Sequence, residues 1–288
     1  MRSCGLWLGA VLGLLVGAGS GRAQELELKY KMKPGQEFQY RDWLVLASQT
    51  FGEGGPEEAR YQWETEALYQ QRVVSLENGV YELENRTLSG KITTRFGDRE
   101  RTEEMKEKSE VVTLDERGKV LGRKGENEEE ERESEEKESL LDPNLILRVV
   151  DDVYENLLFP PKAVKIGETW IDRAEIQLTP ENRVSVDLSS KVARLVKVRG
   201  RRCAEIKTHF VVPLKGSEEE ETASAKASVE GQVVGDLTLY FDYEAGVDLV
   251  HLGEVRMILN TVMEMAGETQ ENQSKTKLRL KTVLQPEK

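Results

Sequence analysis

Cysteine and histidine are nearly missing from this chain of 288 residues, which has two of each. The cysteines are Cys4 and Cys203, and Cys4 falls in a segment that reads as a removable leader. A lone remaining cysteine closes no intramolecular disulfide, so burial and strand pairing must hold the fold. Two histidines, His209 and His251, leave little material for acid–base chemistry. Long apolar runs are missing too: beyond the leader no stretch approaches the ~20 apolar residues of a membrane-spanning helix. Basic charge is in deficit, with 41 Lys and Arg against 53 Asp and Glu. That balance repels nucleic-acid phosphates and works against docking on an anionic membrane surface. No phosphate-binding loop, no GxSxG, no HExxH and no CxxC occurs. "GVYELENRTLSGK" ends in Ser-Gly-Lys but lacks the upstream glycine of a phosphate loop.

What is present begins with an address. Arg2 is followed by the apolar "GLWLGAVLGLLVG", Gly5 to Gly17, and then by "GSGRAQ", with Gly21 and Ala23 at −3 and −1 of a cleavage site. This is the pattern of a secretory signal peptide over residues 1–23, and an uncleaved N-terminal anchor is the rival reading. Cleavage leaves 288 − 23 = 265 residues, and removing Arg2 and Arg22 makes the balance 39 basic against 53 acidic, or −14. Export without disulfides suits a bacterial periplasm better than a eukaryotic secretory route. The triplets "NRT" at Asn85 and "NQS" at Asn272 match glycosylation acceptors by chance.

The dominant periodicity is two. In "RVSVDLSSKVARLVKV", Val184, Val186, Leu188, Val192, Val196 and Val198 alternate with Asp187, Ser189, Lys191 and Lys197. "VRMILNTVMEM" puts Val255, Met257, Leu259, Thr261, Met263 and Met265 on one face, and "KTKLRLKTVL" does the same with Leu278, Leu280 and Leu284. Such alternation predicts antiparallel strands with one buried face and one wet face. Asn78-Gly79 predicts a tight hairpin. "DERG" and "DYEAG" predict Asp-capped turns closed by a left-handed glycine.

These landmarks occur twice in the same order. Gly35 and Phe38 match Gly167 and Trp170. Asn78-Gly79 matches Arg199-Gly200-Arg201, and "LDERGKV" matches "FDYEAGV". The sequence therefore predicts a mainly β fold of antiparallel curled sheets, half-barrel or barrel-like, built from two related β units at 24–123 and 162–288. Between them lie an acidic, disordered insertion at 124–139 and a connecting amphipathic helix at 140–161. The insertion contains "ENEEEERESEEKE", with nine Glu, and lacks the Gly and Asp spacing that shapes a calcium loop. The helix should start at Asp142 as N-cap with Pro143 in its first turn. It should bury Leu147, Val150, Tyr154 and Leu157, and stop at Pro160-Pro161.

None of the candidate chemical groups forms a recognisable site. His209 in "HFVV" and His251 in "LVHLG" sit in strand contexts and read as structural. Cys203 follows "RGRR", an electropositive setting that favours a reactive thiol, but a lone cysteine reads better as a small buried residue. Asp151 and Asp152 are adjacent on a helix and so do not face one another. The expectation is no catalytic residues, no cofactor and no metal.

The tandem layout, the junction "FPPKAVKIGETW" (Phe159 to Trp170) and the "FDYEAG" hairpin resemble an uncharacterised family of exported bacterial β-rich proteins, over roughly Leu26 to Leu284. At fold level the chain is also similar to curled half-barrel proteins that carry lipids or lipoproteins between membranes. The resemblance implies a non-enzymatic, exported or periplasmic protein that binds an apolar ligand or a partner protein in the envelope. A purely structural or assembly protein and an unrecognised enzyme are the alternatives. An open apolar concavity lined by the Val255–Met265 face would favour a carrier, and a filled one an interaction module.

Overall fold

In the computed structural model, residues 25–52, 55–125, 139–142, 144–220, 225–265 and 268–286 are described. The residues expected to form a leader, 1–23, and the acidic run, 126–138, lie outside them. Alternating residues and tight turns produce long, mostly hairpin-connected strands: β1 (Glu25–Leu26), β2 (Glu37–Gly52), β3 (Gly55–Glu77), β4 (Val80–Phe96), β5 (Arg99–Glu104), β6 (Ser109–Asp115) and β7 (Val120–Gly125). Helix α1 (Leu145–Glu155) follows, then β8 (Val164–Lys165), β9 (Thr169–Thr179), β10 (Asn182–Val198), β11 (Arg201–Glu220), β12 (Ala225–Asp242), β13 (Val247–Met265) and β14 (Glu268–Leu284).

The main sheet runs β7-β6-β4-β3-β2-β14-β13-β12-β11-β10-β9, with β5 added beside β4. Its paired strands are antiparallel, and the seam between the two halves is the long pairing of β2 with β14, from Tyr40–Leu284 to Gly52–Asn272. The two halves thus share one continuous sheet. It is large and curled without closing on itself, the half-barrel that the alternation predicts.

The two openings have the same geometry. Gly35 and Gly167 have φ of 83° and 85°. Their amides donate to the carbonyls of Val73 and Val192, at 2.8 and 2.7 Å. Gln36 and Glu168 close the two turns onto Lys33 and Lys165, each at 3.0 Å. The side chains of the same two residues accept the Lys33 and Lys165 amides. Val73 and Val192 each stand at a register shift, against β4 and β11 respectively. Each second strand then ends in a turn with two positive φ values, Asn78-Gly79 and Arg199-Gly200, as a two-residue hairpin of matching twist requires. Asp115 and Asp242 cap the later turns by accepting amides two to four residues on.

The helix is shorter than the sequence predicts. It begins after Asn144, not Asp142, and ends at Glu155, well before Pro160. Asp142 instead accepts the Asn144 amide at 2.8 Å in a turn preceding the helix. The buried face is Leu145, Ile146, Val149, Val150 and Val153, so Leu147 and Tyr154 flank the stripe rather than centre it, and Leu157 lies past the helix end. The sequence reading missed this because the chain from Asn156 onward is drawn out to pair with the "DERG" turn: the Phe159 amide donates to the Arg117 carbonyl at 2.9 Å.

The helix occupies the concave side of the sheet. Its apolar face packs with Leu46, Phe210, Val212, Val233, Val255, Met257, Leu259 and Leu278 in the largest core cluster. A second cluster gathers Tyr30, Phe159 and Phe241 at one end of the sheet, and a third gathers Met32, Val73, Tyr81, Cys203 and Leu249. Glycines make room for this packing where strands approach closely. A Cβ on Gly235 would stand 2.1 Å from the Phe210 ring.

Candidate functional site

A charged row crosses the concave wall beside the helix. Asp42 of β2 pairs with Thr282 of β14, and Thr282 pairs with His251 of β13. The same register that points Leu44 and Leu46 into the core therefore points Asp42 there. Asp248 joins them because a register shift between β12 and β13 at this point brings an extra residue into the strand, and bulges re-aim side chains in this way.

The groups are tightly connected. The His251 Nε2 lies 3.1 Å from Asp248 Oδ2. Tyr30 donates its hydroxyl to the same oxygen at 2.8 Å. The ring of Tyr154, from α1, lies 5.9 Å from the His251 ring. Burial opposes a charge on His251, but Asp248 and then Asp42 outweigh it and raise the imidazole above its ordinary value. Burial raises the Asp42 carboxyl, against a hydrogen bond from Thr282 and the charge of His251. The Tyr30, Tyr40 and Tyr154 hydroxyls are pushed far up by burial beside these carboxylates. One oxygen each of Asp42 and Asp248, and the Tyr154 hydroxyl, are buried without a hydrogen-bond partner. Next to His251 a cavity of about 100 Å³ is lined by Tyr154, Trp170, Ser190 and Thr208, among others.

A second, larger opening lies at one end of the sheet. This cleft of about 700 Å³ is bounded by the start of β2 (Glu37, Phe38, Gln39), the β10–β11 turn (Arg199, Arg201), Leu249 and the end of β14. Its size is in the range of small-molecule sites.

The residues singled out in the sequence fall in separate places. His251 joins the half-buried charged row beside the helix. His209 is exposed on the opposite face, with Nδ1 3.0 Å from Asp236 Oδ1. Cys203 is buried, and burial, reinforced by Asp242, pushes its thiol up to about 11, away from the reactive thiolate. Asp152 accepts the Gln177 amide at 2.8 Å, and Asp151 is exposed on the helix. Asn85 is held between Gln71 and Glu110 inside the sheet. Phe38 and Trp170 are half-buried and each borders a cavity: Phe38 the end cleft, Trp170 the smaller one. Sequence reasoning missed Asp42 and Asp248. Asp42 was detectable, because in "FQYRDWLVL" it is the one charge at the inward phase of Phe38, Tyr40, Leu44 and Leu46. Asp248 was not, since its orientation depends on the shifted register.

The Val255–Met265 face is filled over its buried part. Val255, Met257 and Leu259 are 0, 2 and 4% exposed against the helix and neighbouring strands. Among the described residues no helix is long and apolar enough to cross a membrane, and no cluster of His, Cys, Asp and Glu has the geometry of a metal site.

No family model matches the chain, and no curated protein matches it. A similar solved structure is that of Pseudomonas aeruginosa OccK2 (OpdF), at 6% identity and a TM-score of 0.26 over 87% of this chain and 98% of that one. A likeness at this level carries no argument about function. The expected resemblances to an exported family and to half-barrel carriers thus reduce to a shared β-rich character.

Proposed function

We propose that this is an exported, non-enzymatic protein of the bacterial cell envelope that acts by binding, and that it meets its ligand or partner outside its concave interior. The observation that carries the reading is the helix itself. Its apolar stripe occupies the concave face where a carrier would hold a lipid, and the room left beside it is about 100 Å³. The leader-like residues 1–23 support export. The locking of His251 onto Asp248 and the burial of Cys203 support a role without catalysis. The twin openings, with matched φ values, hydrogen bonds and register shifts, support an origin by duplication of one β unit.

Hydrogen exchange of the α1 amides, with and without lipid vesicles, tests the closed interior. Unchanged protection is expected. Faster exchange at Val149–Val153 on adding lipid would make the helix a displaceable lid and restore the apolar-carrier reading. That second reading has one observation in its favour: the wall beneath the helix includes Met257, and methionine adapts to varied ligands.

A further inference from the structure

We infer that the cleft at the sheet end is a binding site for an anionic amphiphile, a carboxylate or phosphate head on an apolar chain. This rests on the proposal that ligands are met outside the interior. The cleft has a cationic side and an apolar side. Arg199 and Arg201 stand on one wall, while Phe38, Leu249 and Leu284 belong to or pack on the third core cluster. The one acidic group on the wall, Glu37, is already engaged by the Gln70 amide at 2.9 Å. The lining carries Arg199 and Arg201 against Glu37, with Asp242 behind it against Arg201, so the cleft is locally balanced in a chain whose net charge is −12.

The arginines are held in place. Arg199 occupies a positive-φ position of the β10–β11 turn, φ 50°, and its guanidinium donates to the Leu284 carbonyl. Arg201 lies 3.6 Å from Asp242 Oδ2, whose other oxygen caps the next turn. Each guanidinium has five N–H donors in a planar fork, so these bonds leave donors for a carboxylate or phosphate. The apolar chain would lie on Phe38 and Leu249. The matching turn of the first half carries Asn78-Gly79 and no arginine.

Calorimetric titration with dodecanoate and dodecyl phosphate below their micellar concentrations tests the site. Acetate and inorganic phosphate serve as head-only probes, and dodecyltrimethylammonium as the cationic control. Binding of one or both anionic amphiphiles is expected, with neither head-only probe nor the cation bound comparably, and the stronger of the two identifies the head. Arg199→Asn keeps a residue that tolerates positive φ, and with Arg201→Gln it should weaken binding at least tenfold; the loss of the Asp242 pairing lowers Tm, and an unchanged far-UV circular dichroism spectrum at the titration temperature shows that the sheet is kept. Arg199→Lys with Arg201→Lys should retain part of the affinity. Absence of binding to either amphiphile overturns the inference. So does binding that the Asn/Gln pair leaves unchanged, and if that binding also speeds helix exchange, the closed-interior proposal fails with it.

Discussion

Asp152 of the helix accepts the backbone amide of Gln177, in edge strand β9, at 2.8 Å. Three residues further along the helix, Glu155 pairs with Arg123 of the opposite edge strand, β7, at 2.9 Å. The helix therefore spans the gap between the two free edges of a sheet that does not close. Exposed edges invite pairing with other chains, and covering them is one defence.

Replacing Asp152 by Ala should leave the Gln177 amide unpaired and lower stability by about 1–3 kcal/mol. Asp152→Asn, which keeps an acceptor, should cost less. Urea midpoints of the two variants check the order, and faster exchange at Gln177 in the Ala variant identifies the cause.

The raised imidazole of His251 makes stability depend on pH in a set direction. The folded state holds this proton more tightly than the unfolded state does. Its contribution is therefore complete below the ordinary histidine value of about 6.5 and is lost as pH rises through the higher folded value. Asp42, also raised, has the same sign at lower pH: its contribution is complete below the ordinary aspartate value of about 4 and is lost as pH rises through the higher folded value. The His251 part of the melting temperature should thus decline from about pH 6.5 upward, and His251→Gln should flatten that slope. A steeper slope in the variant would contradict the pairing with Asp248.

At Gly35 and Gly167 an added Cβ meets nothing within 4 Å, so only the positive φ resists substitution. Ala at either place should cost about 1–2 kcal/mol from backbone strain alone. Gly235→Ala should cost more, because its Cβ would collide with the Phe210 ring, and overpacking of this kind costs about 1–3 kcal/mol or more. Chemical denaturation of the three variants ranks them.

Phe38→Ala and Trp170→Ala should each cost less than the roughly 3–5 kcal/mol of a fully buried aromatic, because both rings are half-buried. Trp170 should be the more sensitive, since its indole N–H also donates to the Leu158 carbonyl at 3.0 Å. Thermal melts decide the order.

On the proposed export reading, the mature chain should begin at or near Gln24. Intact-mass measurement of material recovered from the periplasm checks this, and a retained Met1 would overturn the localisation.

What the sequence by itself determined is local. Alternation at period two specifies strands, because each residue's face is set by its neighbours. Asn78-Gly79, Arg199-Gly200 and the paired openings at Gly35 and Gly167 specify turns, because few residues tolerate positive φ. The curled antiparallel class follows from these. Tertiary structure decided the rest. That β2 pairs with β14 depends on contacts more than two hundred residues apart, which no local pattern encodes. The helix end depends on Phe159 being drawn to Arg117. The half-buried row of Asp42, Thr282 and His251 exists only because three strands align in one register, and Asp248 enters it only where that register shifts. Charges separated along the chain become neighbours by strand pairing, so their chemistry is a property of the sheet and not of any segment.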